Sequence, residues 1–163
     1  HLELVIEACT TLSLPLRIFG VTNEPRYEQY LHAIACPTVQ FLGYQSDHEV
    51  NALYEEAIAF LFPSKQEDFG IAPLEALAHG VPVIAYFGGG PKETLLEGKT
   101  GTFFHKHTAA SLMEAIHRFH TITFYPRTLY EHAKHYSEAV FQKRLHKYIE
   151  AAMRTTGATS LRK

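Results

Sequence analysis

The sequence predicts an α/β fold in which a parallel sheet is flanked by helices. Five short apolar runs lack the alternation of half-exposed strands, and segments of helical length separate them. Strands and helices in alternation are joined by right-handed crossovers, which produce a parallel sheet layered by helices. The 163 residues, 46% hydrophobic and 20% charged, suffice for one domain with a buried core. We expect this domain over residues 1–154 and a flexible polar tail over residues 155–163.

The strands are predicted from the apolar runs, each expected to be covered on both faces. The first predicted element is a helix, whereas a strand precedes the corresponding helix in the common doubly wound order. Either that strand lies upstream of residue 1, or the remaining strands close the sheet differently. The predicted strands cover residues 16–20, 39–43, 59–63, 81–85 and 102–104.

The first three helices have local signals in the sequence. Apolar residues at helical spacing over 2–9 form one buried stripe. A second helix over 28–35 is expected to stop before Pro37, because the residue preceding a proline disfavours the helical conformation. Ser46 and Glu49 form a capping box, which predicts that a third helix begins there.

The later helices follow from prolines, glycines and spacing. A fourth helix is predicted over 72–79, with Gly80 ending it. A fifth is predicted over 91–98, and Thr108 is expected to open a sixth. The segment 126–153 predicts two more helices, the last with one basic side.

Composition argues against several classes of function. The net charge is −2 and the isoelectric point is about 6.6, which disfavours nucleic-acid binding because that requires a basic face. No apolar run approaches the ~18 residues of a membrane span. Cys9 and Cys36 alone make neither a disulfide framework nor a zinc site, so we expect a reducing, cytoplasmic location. Two histidines in the turn 105–107 lack a third ligand, so we expect a solvated turn there and no metal site.

The richest candidate site is the turn that follows the third strand. Ligands of parallel sheets bind beyond the carboxyl ends of the strands, where helices begin. Gly70 allows the backbone to approach a ligand, and the first amides of the next helix favour an anion by ~0.3–2 kcal/mol. Gly88–Gly90, after the fourth strand, is either a second ligand-facing turn or only a flexible strand exit.

Glu67 in this loop and Glu75, expected in the first helical turn, are eight residues apart, too far to share a proton. Each can instead accept hydrogen bonds from a different part of a polyhydroxylated ligand whose phosphates lie at the helix end. A sugar nucleotide has this shape. Capping alone also accounts for an acid near a helix start, and solvation alone for an acidic loop.

This turn resembles the E-x7-E motif of the family 4 glycosyltransferases. Glu67 and Glu75 stand in the matching setting of residues 62–85, and further matches lie at 39–44 and 89–101. The likeness covers residues 2–150. It implies a Rossmann-like parallel sheet, the C-terminal, donor-binding half of a GT-B fold, in an enzyme that transfers a sugar from a nucleotide sugar with retention. No metal or cofactor is implied.

The resemblance also implies roles for individual residues. Glu67 is the expected catalytic residue, since the first Glu of the motif meets the hydroxyls of the donor sugar, and Glu75 is expected to bind the ribose. Backbone N–H groups of the turn would reach the sugar and the diphosphate, and the base would lie near residues 42–44. The expected donor-binding residues are Glu67, Asp68, Phe69, Gly70, Ile71, Glu75, Gly43, Tyr44 and Lys92.

The wording of these motifs is most similar to GDP-mannose-dependent mannosyltransferases of O-antigen and exopolysaccharide assembly. This favours GDP-mannose as the donor, with a UDP-sugar as the alternative. The acceptor would be a glycan or a lipid-linked glycan, held by an N-terminal domain that this chain lacks, and a lipid-linked acceptor would bring the enzyme to the inner face of the cell membrane.

The family's basic pair on the diphosphate is also absent, so the isolated chain is expected to be an inactive fragment. A nucleotide-sugar epimerase or hydrolase, or a non-catalytic binding module on the same half-fold, remains the competing interpretation.

Overall fold

All five predicted strands are present in the computed structural model, which describes residues 1–155. Residues 156–163, most of the predicted tail, lie outside the described residues. The strands are β1 (Leu16–Phe19), β2 (Val39–Gly43), β3 (Phe60–Phe62), β4 (Val83–Tyr86) and β5 (Gly101–Phe104). The helices of the described part are α1 (Leu2–Thr11), α2 (Pro25–Ile34), α3 (Asp47–Glu56), α4 (Ile71–Ala78), α5 (Pro91–Thr94), α6 (Ala109–Phe119), α7 (Pro126–Lys134) and α8 (Glu138–Thr155).

The strands form two parallel sheets. One contains β1 and β2, and the other has the order β3-β4-β5. All three strand pairings are parallel, so each connection within a sheet crosses over through a helix. Within residues 1–155 no strand joins β1 to β3, so the described residues form no single continuous sheet.

Helices cover both faces of the three-stranded sheet. Ile84 and Phe104 point to one face, where they pack with the apolar sides of α1 and α6. Val83, Ala85 and Phe103 point to the other, where they pack with α4 and with Leu129 of α7 among others. β4 and β5 are buried almost throughout, which confirms that an apolar run without alternation indicates a strand covered on both faces.

The two-stranded sheet differs from this prediction. Leu16 and Ile18 of β1 are half-buried, whereas Arg17 and Phe19 are exposed. α1 packs near one face of this sheet, and on the opposite face the residues of β1 are exposed. The prediction that every strand is covered on both faces is therefore wrong for β1, where burial alternates as in a sheet with one covered face.

The predicted caps are confirmed for two helices. The amide of Ser46 donates to Oε2 of Glu49 at 2.7 Å, and the amide of Glu49 donates to Oγ of Ser46 at 3.4 Å, the reciprocal pair of a capping box. The hydroxyl of Thr108 accepts from the amide of Ser111 at 3.3 Å and opens α6. Both caps satisfy amides that have no partner inside the helix.

The predicted helix 91–98 is wrong in length, because α5 is a single turn that ends at Thr94. Leu95 is buried in the core with an extended backbone (φ −109°, ψ 152°), and this conformation ends the helix. The side chain of Thr100 then holds the next segment by accepting from the amide of Leu96 at 2.8 Å. Among the described helices, none has the length and hydropathy needed to cross a bilayer.

A carboxylate accepts hydrogen bonds from groups at the free edge of β5. Oε2 of Glu97 accepts from the amide of Phe103 at 2.8 Å, and Oε1 accepts from the hydroxyl of Thr102 at 2.7 Å. β5 ends the order β3-β4-β5, so no further strand of the described residues pairs with this edge. The side chain takes the place that a neighbouring strand would otherwise fill.

We expect Glu97→Ala to lower the free energy of unfolding by about 1–3 kcal/mol, because the amide of Phe103 loses its acceptor in a partly buried position. Urea unfolding followed by circular dichroism measures this change. Glu97→Gln keeps an oxygen acceptor and should lose less. Equal stability of the Ala variant and the unmodified protein would contradict the role assigned to this carboxylate.

Candidate functional site

The loop that carries Glu67 lies at the carboxyl edge of the three-stranded sheet. It connects β3 to α4, and the glycine-rich turn after β4 lies against it. Since parallel strands end at the same edge, the two connections meet there. The predicted residues from Glu67 to Ile71 therefore share one loop and one helix start, at the position where ligands of such sheets bind.

The carboxylate of Glu67 is fixed at the beginning of α4. Its Oε1 accepts from the amide of Gly70 at 3.1 Å, and the side chain is half-buried. Gly70 is the residue before α4 and has φ +84°, a left-handed conformation in which a residue with a Cβ is strained. One hydrogen bond uses one of about four acceptor positions of a carboxylate, so Glu67 keeps capacity for further donors.

The first turn of α4 offers backbone donors next to this carboxylate. No side chain of the described residues caps the helix. The Gly70 amide is taken by Glu67 and Pro73 has no N–H, which leaves the amides of Ile71 and Ala72 among those that lack a partner within the helix. Ile71 is 65% exposed, so this end of the helix faces solvent. Such an arrangement favours an anion.

The turn Gly88–Gly90 packs on the backbone of the Glu67 loop. The amide of Gly90 donates to the carbonyl of Glu67 at 2.7 Å. A Cβ at Gly90 would overlap the carbonyl of Phe69, and a Cβ at Gly89 would overlap the carbonyl of Glu67. The sequence allowed two interpretations of this turn, a ligand-facing turn or a flexible strand exit. The structure adds a third role for these glycines, because they allow the two loops to come into close contact.

Glu75 lies further along α4 than predicted. It is the fifth residue of the helix and therefore in the second turn, because α4 starts at Ile71. Its Cα is roughly 7.5 Å along the axis from that of Gly70, at 1.5 Å per residue. The side chain is exposed, and Tyr54, which sequence analysis did not single out, lies nearby. Burial, and then the negative charge of Glu75, raise the pKa of Tyr54 to about 12.

Gly43 and Tyr44 stand at the carboxyl end of β2, in the other sheet. The carbonyl of Gly43 accepts from the amide of Gly20 at 2.8 Å, so the ends of β1 and β2 are joined there. Tyr44 is 76% exposed, while the side chain of Gln45 donates to the carbonyls of Leu42 and Tyr44, each at 2.9 Å. The turn is therefore held by its own residues and leaves the Tyr44 ring open to a ligand.

The remaining predicted residues lie around the two loops. Asp68 is exposed, and Phe69 is half-exposed with its ring 6.1 Å from that of Tyr136, between α7 and α8. The ammonium of Lys92 lies 5.7 Å from the ring centroid of Phe87, which is also partly exposed. Aromatic rings and the ammonium of Lys92 thus lie beside the two loops.

The turn 105–107 was predicted to be solvated, which is confirmed for the exposed His105 and Lys106 and wrong for His107. Its side chain is half-buried, and Nε2 lies 2.9 Å from the carbonyl oxygen of Pro63 at the start of the Glu67 loop. The partners are 44 residues apart, so no local pattern indicated the contact. Within residues 1–155 no three His, Cys, Asp or Glu side chains are grouped so that they could hold a metal ion.

The two cysteines lie in different environments. The nearby hydroxyls of Thr10 and Thr38 lower the pKa of Cys36 to about 7, and Sγ of Cys36 lies 2.9 Å from Oγ1 of Thr38. Burial, and then the neighbouring Cys36, raise the pKa of the Cys9 thiol to about 11. Because the thiolate is the reactive form, the two residues should differ in alkylation.

We expect iodoacetamide to modify Cys36 at a rate that rises with pH and is half-maximal near pH 7, where half of the thiol is ionised. Cys9 should stay unmodified in the folded protein. Peptide mapping by mass spectrometry at several pH values measures both rates, and the chain unfolded in urea is the control. Equal modification of the two residues, or a Cys36 rate still climbing tenfold per pH unit above pH 8, would contradict these environments.

Comparison with known proteins finds relatives of this chain among glycosyltransferases. The alpha-1,3/1,6-mannosyltransferase ALG2 of Eremothecium gossypii is 30% identical over 100 residues, covering 61% of this chain and 20% of ALG2. The putative colanic acid biosynthesis glycosyltransferase WcaL of Salmonella typhimurium is 29% identical over 137 residues, covering 74% of this chain and 33% of WcaL. The chain therefore spans no more than about a third of these curated relatives.

A solved structure shares the fold of this chain. Anabaena Alr3699/HepE in complex with UDP and glucose superposes with a TM-score of 0.75 at 20% identity, covering 91% of this chain and 44% of that chain. This confirms the predicted α/β fold with parallel sheets flanked by helices, as in GT-B glycosyltransferases. The family model of the glycosyl transferases group 1 matches residues 1–143. Because that match covers most of the sequence and includes both glutamates of the motif, the chain belongs to the glycosyl transferases group 1.

Proposed function

We propose that residues 1–154 form the donor-binding domain of a retaining glycosyltransferase that moves a hexose from a nucleotide sugar to a glycan or lipid-linked acceptor. The observation that carries this proposal is the fixed carboxylate of Glu67 beside the uncapped start of α4. A carboxylate binds sugar hydroxyls, and a helix start binds a diphosphate, so the loop has one group for each half of the donor.

In this proposal different residues of the loop bind different parts of the sugar donor. Glu67 accepts from the hydroxyls of the sugar and is the catalytic residue. The amides of Phe69, Gly70 and Ile71 face the sugar and diphosphate, with the Gly70 amide exchanging its bond to Glu67 for one to the ligand. The positive end of α4 then stabilises the diphosphate as it leaves.

The nucleotide lies on the far side of the same helix start. Glu75, one turn further along α4, accepts from the ribose. Gly43 and the exposed ring of Tyr44 contact the base. Asp68 and Lys92, both exposed near the two loops, supply charges around the donor.

We propose that further parts complete this domain, because the chain spans less than half the length of the relatives it matches. A further strand between β1 and β3 would unite the two sheets, which the gap in strand order supports. The acceptor would bind to a second domain, consistent with relatives more than twice as long as this chain. With these parts absent, the isolated chain would transfer no sugar. We place the whole enzyme in the cytoplasm, at the inner face of the membrane when its acceptor is lipid-linked.

For the donor we propose GDP-mannose, with a UDP-sugar as the alternative. The similarity to a mannosyltransferase, ALG2, and to a colanic acid glycosyltransferase supports mannose and polysaccharide assembly. The fold neighbour that binds UDP and glucose supports the alternative.

Titration of the full-length protein with GDP, UDP, GDP-mannose and UDP-glucose by calorimetry tests the proposal. We expect one nucleotide series to bind, with the sugar nucleotide bound more tightly than the diphosphate. Product analysis with and without a glycan acceptor then separates a transferase from an epimerase or hydrolase, which would act without acceptor. Absence of binding by all four ligands would contradict the proposed function.

A further inference from the structure

One histidine touches the ends of all three strands of the larger sheet. Nε2 of His107 lies 2.9 Å from the carbonyl oxygen of Pro63, the first residue after β3. Its ring meets that of Tyr86, the last residue of β4, edge-on at 5.1 Å, and that of Phe104, the last residue of β5, at 6.4 Å. The ring of His1, just before α1, packs on it at 4.2 Å.

The direction of the hydrogen bond follows from its acceptor. A carbonyl oxygen only accepts, so Nε2 of His107 carries the proton and donates. Pro63 has no N–H, so its carbonyl is the one backbone group with which this residue can hydrogen-bond. The bond therefore fixes the point at which the chain leaves β3 and enters the Glu67 loop.

The loop is held at two points by other connections of the sheet. His107, from the β5–α6 turn, holds its first residue, and the amide of Gly90, from the β4–α5 turn, holds the carbonyl of Glu67 at 2.7 Å. The ring of Tyr86 links the two, because it contacts His107 and leaves no space for a side chain at Gly88. Loss of the His107 hydrogen bond would free the stretch from Pro63 to Glu67, and with it the Glu67 carboxylate.

We propose that His107 is a positioning residue that holds the Glu67 loop in place and thereby sets the affinity for the sugar part of the donor without contacting the donor. The functional part of this inference rests on the role of Glu67 given under Proposed function. Glu75 and the base contacts lie on other segments, so we expect loss of His107 to weaken binding of the sugar more than binding of the nucleotide.

The test compares two variants. His107→Leu removes the N–H group that donates to the Pro63 carbonyl, and His107→Gln restores such a group with its side-chain amide. Hydrogen exchange of residues 64–70 is measured without ligand, and affinities for the nucleoside diphosphate and its sugar are measured on the full-length protein. In the Leu variant we expect faster exchange in this loop and about threefold to tenfold weaker sugar-nucleotide binding, with a smaller loss of diphosphate binding. Gln should restore both quantities.

His105→Leu is the matched control, since His105 stands in the same turn and packs on the ring of Phe87. It should leave loop exchange and both affinities unchanged. Unchanged exchange in His107→Leu, equal weakening of diphosphate and sugar nucleotide, or failure of Gln to restore would each overturn the inference.

If the Leu variant does not fold, His107→Asn, too short to reach Pro63, takes its place beside Gln. If the unmodified protein binds no sugar nucleotide, the proposed function fails, while loop exchange still decides whether His107 holds the loop.

Discussion

Replacing Glu67 with Gln should reduce sugar transfer by the full-length enzyme about 10- to 100-fold, the loss expected when hydrogen bonds to a charged acceptor become bonds to a neutral one. The amide oxygen of Gln can still accept from Gly70, as Oε1 of Glu67 does at 3.1 Å. The loop should therefore keep its shape, and the loss should report on the charge alone. Initial rates with the preferred donor, together with the melting temperature, measure both parts.

Glu114→Gln is the control for this substitution, because Glu114 is an exposed carboxylate on α6. It removes the same charge elsewhere and should leave the rate unchanged. Glu67→Ala should lose at least as much activity and also some stability, since the Gly70 amide then has no acceptor. Full activity of Glu67→Gln would contradict the catalytic role of this residue.

A methyl group at Gly90 should disturb both the stability and the site. In Gly90→Ala the new Cβ would overlap the Phe69 carbonyl, and these are backbone atoms that cannot rotate away. The backbone of Gly90 has φ −56°, which any residue adopts, so the cost comes from the collision and not from the conformation. We expect a loss of about 1–3 kcal/mol in the free energy of unfolding. Weaker binding of the sugar nucleotide should accompany it, because the loop of Glu67 must move.

Gly98→Ala provides the comparison, since a Cβ there meets nothing within 4 Å. Its φ of +72° still makes the substitution cost roughly 1 kcal/mol, but donor affinity should not change. Chemical unfolding and calorimetry on both variants separate the two effects. If Gly90→Ala bound the sugar nucleotide as tightly as the unmodified protein, the contact between the two loops would have no part in donor binding.

Local patterns predicted the elements well where the signal was short-range. The runs that became β4 and β5 are apolar and buried on both faces, and the capping box of Ser46 and Glu49 lies within four residues. The same reasoning was wrong for the second face of β1 and for the length of α5. Each of these depends on what packs against the segment, and periodicity does not report that.

The candidate site was predictable in part for the same reason. The loop from Glu67 to Ile71 is one continuous motif, so its residues could be named together. The use of Gly90 could not be foreseen, because its partner carbonyl at Glu67 lies on another connection. The exact turn of α4 that carries Glu75 also depended on where the helix begins.

By itself the sequence determined the succession of strands and helices along the chain, the family motif, and the placement of an acidic loop before a helix. These depend on neighbours along the chain, whose spacing is fixed by covalent geometry. Only the tertiary structure decided how that loop is held, by His107 through Pro63 and by Gly90 through Glu67. Contacts between distant segments form when packed elements bring them together, and many sequences share the same local pattern without sharing those contacts.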